Sequence, residues 1–105
     1  MSVTPQPPPD ESQIQAWQEQ WDATANMFKA EIDFMNVVID SKTKELYNIM
    51  SNQKEWDSMP FDERRQLRQN IIQARQELEQ IRRELQDAKG QFISVNPQAE
   101  HYVQF

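Results

Sequence analysis

Between Asp10 and Met59 an apolar residue returns every seven positions: Ile14, Trp21, Phe28, Met35, Ile49 and Trp56, with Lys42 as the one polar exception. Ala25, Ile32, Ile39 and Leu46 each follow a repeat position by four. Alternating steps of three and four draw one stripe along an α-helix. No glycine or proline interrupts residues 10–59. The pattern therefore predicts a single helix from Glu11 to Lys54, roughly 65 Å long. Asp10 and Gln13 have the spacing of an N-terminal capping box. The weak point is residues 36–44, where Val37, Val38, Ile39 and Thr43 are β-branched and Lys42 interrupts the seam.

A second ladder reads Leu67, Ile71, Ala74, Leu78, Ile81, Leu85, Ala88, Phe92. Its steps of four and three alternate without a fault, the signature of a coiled-coil seam. Pro60, Asp62 and Glu63 suit a helix start, and Lys89-Gly90 suits a helix end. This predicts a helix over residues 61–89, roughly 43 Å long, joined to the first by a turn over residues 55–60. Two long helices and a short link make an all-α, antiparallel helical hairpin. Folding about Ser58 brings Leu46 near Ile71, Ile39 near Leu78 and Ile32 near Leu85. Lys42 then lies near Ala74, either reaching Glu77 or Gln73 or extending its ammonium to solvent.

One segment has more apolar surface than a hairpin can use. Phe28, Ile32, Met35 and Ile39 make one stripe, and Met27, Phe34 and Val38 make another beside it, widened by Val37. Helix two offers one clean ladder, so the second stripe is left over. The first helix is also the longer by roughly 20 Å, so Trp17 and Trp21 overhang the pairing. Tryptophans in that setting need cover. It comes either from the tail, residues 91–105, or from a partner. The tail carries Phe92, Tyr102 and Phe105, and Pro97 predicts that it is not a continuous helix. Its last residues, Val103-Gln104-Phe105, have the apolar-x-apolar form read by some PDZ domains. The candidate partner-binding residues are Trp17, Trp21, Met27, Phe34, Val38, Phe92, Tyr102 and Phe105. At the other end, residues 1–9 read as a disordered Pro-rich arm, with PxxP spacing in Pro5-Gln6-Pro7-Pro8.

Composition narrows the function. The single glycine, Gly90, agrees with helix rather than sheet. The net charge of −6 disfavours nucleic acid and anionic membrane as main partners. That charge resides in residues 1–57, while residues 58–105 sum to zero and hold all six arginines. Without cysteine there is neither a disulfide nor a thiolate metal site, which fits a cytoplasmic or otherwise intracellular protein. No apolar run has the length of a membrane span.

Candidate chemistry adds little. His101 is the only histidine and has no partner at metal or triad spacing. No glycine-rich loop could cradle phosphate, and Glu79 with Arg83 reads as a solvated i,i+4 pair. Arg64, Arg65 and Arg68 form a small basic cluster, expected to pair with Glu55, Asp57, Asp62 and Glu63. Neither catalysis nor a cofactor is expected. Size and acidity resemble those of the secreted WXG100 hairpins, but the Trp-x-Gly of their turn is replaced by Trp56-Asp57-Ser58, and no family is assigned. The expectation is a non-enzymatic interaction subunit, a scaffold or adaptor, that assembles by coiled-coil packing with itself or within a multi-subunit complex. The alternative is a small assembly or export chaperone clasping an apolar client helix.

Overall fold

The computed structural model describes residues 7–105. The chain is an all-α helical hairpin of α1 (Glu11–Ser51), α2 (Gln53–Ser58) and α3 (Phe61–Val95), followed by a 3₁₀ turn, Pro97–His101. Of the Pro-rich arm, residues 1–6 lie outside the described residues; Pro7, Pro8 and Pro9 are non-helical.

Helix α1 begins as its capping signal predicts, with the Asp10 carboxylate accepting from the Gln13 backbone N–H at 2.8 Å. It crosses the β-branched stretch without a break. It stops three residues short of the expected Lys54, at Asn52, whose backbone is extended (φ −93°, ψ 92°). Asn52 closes one helix and opens the next. Its backbone N–H donates to the Ile49 carbonyl at 3.2 Å, and its side-chain oxygen accepts from the Glu55 N–H at 3.2 Å. The expected turn is therefore largely a third, short helix, because asparagine is among the strongest N-caps.

Arg64 holds this elbow. It donates through Nε to the Met59 carbonyl at 3.0 Å and through a terminal nitrogen to the Asp57 carbonyl at 3.2 Å. Its guanidinium lies 5.1 Å from the centre of the Trp56 ring. Arg64 thus engages carbonyls and an aromatic face instead of the carboxylates expected for it. Its planar fork and weak hydration suit both roles.

Helices α1 and α3 pack antiparallel in the expected register. Met35, Ala74 and Leu78 form a buried cluster, joined by Ile32, Val38, Ile39 and Ile81. A second cluster lies at the far end, around Trp17, Trp21, Ala99 and Val103. Between helices one layer deep, little becomes interior. The radius of gyration is 22.4 Å, against about 13 Å for a compact chain of this length.

The largest departure from expectation is the end of α3. Gly90 does not terminate the helix, which continues to Val95. Gly90 has no positive φ, so no left-handed cap forms. Continuing carries Phe92 to within 5.9 Å of the Trp21 ring, a contact that outweighs the poor helix propensity of glycine. Nothing lies within 4 Å of a Cβ built on Gly90. Gly90→Ala is therefore expected to stabilise the fold by about 0.5–1 kcal/mol, read as a raised urea midpoint at unchanged slope. The helix stops at Asn96, which donates from its backbone and side-chain nitrogens to the Phe92 carbonyl at 2.9 and 3.1 Å. Pro97 has no N–H with which to extend it. Among the described residues no helix is long and apolar enough to cross a membrane.

Candidate interaction surface

The tail folds back onto its own chain. Residues 97–105, expected to be non-helical, form the 3₁₀ turn and then run over the N-terminal half of α1. There Ala99 is fully shielded, at 0% exposure, and Trp21 is reduced to 5%. Polar contacts fix the register of this return. The Trp17 indole N–H donates to the Asn96 side-chain oxygen at 3.2 Å. Gln18 pairs twice with Gln104, accepting its backbone N–H at 2.8 Å and donating to its carbonyl at 3.1 Å. Phe105 lies edge-on to Trp21 at 5.0 Å and to Phe92 at 6.0 Å, and the Lys89 ammonium sits 5.0 Å from its ring centre. Such tilted arrangements place the positive edge of one ring over the negative face of the next.

Five of the eight candidate partner-binding residues thus meet at this end: Trp17, Trp21, Phe92, Phe105 and, at its margin, Tyr102. The tail covers the two tryptophans, while Tyr102 stays partly exposed. Val103 is buried and Gln104 is held by Gln18, so the Val103-Gln104-Phe105 segment is engaged within the chain.

The other three candidates lie along α1. Met27 and Phe34 are left open, at 70% and 66% exposure. Val38 is half-buried and packs beside Met35 and Leu78, so the second stripe is shared between core and solvent. Phe34 and Val38 border a shallow groove of about 250 Å³, opposite Gln73 and Glu77 of α3. Lys42 lines the same groove, at the position expected from the register. Among the described residues it makes no ion pair; the pairs formed are Lys44–Asp40 and Arg82–Glu79. The second of these replaces the Glu79–Arg83 pair expected from sequence.

On the opposite side of the hairpin, nearer the elbow, lies a groove of about 360 Å³. Tyr47, Met50 and Ile72 line it, with Arg68 and Arg75 from α3. Tyr47 is 65% exposed. The Thr43 hydroxyl, also in this lining, is buried without a hydrogen-bond partner, an arrangement that costs about 1–3 kcal/mol. Sequence reasoning passed over Tyr47 because it falls just beside the seam residue Leu46. The signal was there: Thr43, Tyr47 and Met50 follow steps of four and three, and between Leu67 and Phe92 Ile72 is the one large apolar residue outside the ladder.

For chemistry, the site offers apolar floors and charged rims. His101 is exposed on the 3₁₀ turn. Among the described residues no three histidine or carboxylate side chains are placed to hold a metal ion. Comparison of the chain with protein-family models, with curated proteins and with solved structures returns no match.

Proposed function

We propose that this chain is a non-enzymatic interaction subunit, a scaffold or adaptor within the cell, that assembles through its helix faces with copies of itself or inside a larger complex. One observation carries the reading. The hairpin seam and the tryptophan end are covered from within the chain, yet Met27, Phe34 and Val37, spaced by seven and three, stand more than half exposed along one stripe of α1. Large apolar side chains clustered along one helix, rather than scattered, mark surfaces that are covered in an assembly. The slenderness of the hairpin supports this, since two helices alone bury little surface for their length.

Multi-angle light scattering after size exclusion tests the proposal. A mass above that of the 12.5 kDa chain is expected, rising with loading concentration. A single species at 12.5 kDa across the accessible range would overturn it. The chaperone alternative has the Tyr47–Ile72 groove in its favour, an apolar trough with room for side chains of a client helix. It predicts a discrete species that binds an apolar helical peptide at that groove.

A further inference from the structure

Resting on the interaction-subunit reading, we infer that the Tyr47–Met50–Ile72 groove receives a second copy of this chain by its Phe34 face, so that assembly is head-to-tail. The two flanks of α3 beside its buried ladder are oppositely charged. On the groove side, Arg68, Ile72 and Arg75 recur at helical spacing and Arg83 continues the line, with Glu79 the one acidic side chain among them and paired with Arg82. On the other side, Glu77 borders the Phe34 groove, and Glu84 and Asp87 follow it at steps of seven and three. Helix α1 reinforces the second flank: Met27, Glu31, Phe34 and Val38, spaced by four, three and four, place a carboxylate within the apolar stripe.

The groove side is thus apolar with prevailing basic charge, and the Phe34 side apolar with prevailing acidic charge, Lys42 being the one cation that lines the Phe34 groove. Like sides repel. Two copies meeting groove to groove would set Arg68 and Arg75 of one against those of the other. Two copies meeting by their Phe34 sides would set Glu31, Glu77 and Glu84 against their equivalents, in a chain already at −6. Only unlike sides combine apolar contact with opposite charge, and electrostatic match of this kind selects partner and register. Because the two sides are different surfaces of one molecule, the contact is heterologous. Each pair keeps one side of each kind free, one on either copy, and further addition gives a ring if the rotation closes and a filament if it does not.

Two variants, each blocking one side, test this. Phe34→Lys places a cation where Arg68 and Arg75 would approach. Arg68→Glu with Arg75→Glu reverses the groove rim. All three positions are exposed, so helix content by circular dichroism should match the wild type. Should the double variant lose helix, Ile72→Asp on the same flank replaces it. The wild type is expected to associate, more weakly as salt is raised and the rim charges are screened. Each variant alone should be monomeric, with self-association weakened by about tenfold or more. Their equimolar mixture should form a capped 1:1 heterodimer in sedimentation velocity.

A variant that still homodimerises alone, or a mixture that stays monomeric while the wild type associates, overturns head-to-tail pairing and leaves the interaction reading standing. Binding of a foreign apolar helical peptide at the groove, with no self-association of the wild type, overturns the pairing in favour of a client. A wild type that is monomeric and binds no such peptide overturns both readings.

Discussion

Trp21→Ala is expected to lower stability by about 3–5 kcal/mol, a large share of the roughly 5–15 kcal/mol that holds a small domain folded. Trp21 joins three elements: its own helix, Phe92 near the end of α3, and Phe105 in the tail. Removing it leaves a void that α1 and α3 cannot close, since each is anchored elsewhere by the Met35–Leu78 cluster. The loss should also divide the unfolding transition. The two clusters share no buried residue, so the weakened end can open while the middle persists. In urea, fluorescence from Trp17, read with the other remaining tryptophan, Trp56, replaced by Phe, should change at lower denaturant than far-UV circular dichroism. Coincident transitions at the wild-type midpoint would show that the aromatic end contributes little.

Ala99→Asp should act at the same end with a different outcome. Ala99 has no exposed surface, and an unpaired carboxylate there would lose its hydration at a cost of several kcal/mol. A terminal segment can escape that cost. Residues 97–105 need only detach, so the penalty is capped at the free energy with which the tail docks. The expected result is a hairpin with nearly wild-type helicity whose tryptophan emission moves to the red and whose tail is cut quickly by chymotrypsin at Tyr102. Unchanged emission and protease resistance would mean that Ala99 is not the seat that holds the tail. Together the two variants separate what the tail stabilises from what the helix pair stabilises.

The helix pair was legible because its signals are local and mutually consistent. The ladder from Leu67 to Phe92 fixes a face, the Asp10–Gln13 cap fixes a start, and the spacing fixes the register that places Lys42 beside Ala74. What could not be read depends on competition between local and distant effects. Lys89-Gly90 is a sound stop signal in isolation, and it lost to the packing of Phe92 on Trp21, a contact between residues far apart in sequence. The elbow helix is a different case. Asn52 followed by Glu55 resembles a capping box, but the apolar repeat running on to Trp56 masked it. For the interaction surface, the exposed stripe at Met27 and Phe34 was visible in the pattern. Cover of Trp17 and Trp21 by the tail was one of the two readings the pattern offered; the choice of tail over partner was not legible, because apolar content gives a need for cover and no direction. The Tyr47 groove went unseen because a groove belongs to two helices, and neither one's periodicity describes it.

The extents of the molecule, 78 × 27 × 14 Å, have a consequence for whatever lies against it. A helix with its side chains is about 10–12 Å across, so the hairpin is a single layer where domains are ordinarily built from two or three. Any molecule laid on either broad face touches α1 and α3 together. Such a molecule senses the longitudinal offset between the two helices as well as the side chains of each. A slip of α3 along α1 by one turn, about 5.4 Å, would bring Arg68 and Arg75 beside different residues of α1 and rewrite both faces at once. The offset set by the elbow at one end and the tail at the other is thus part of the surface chemistry.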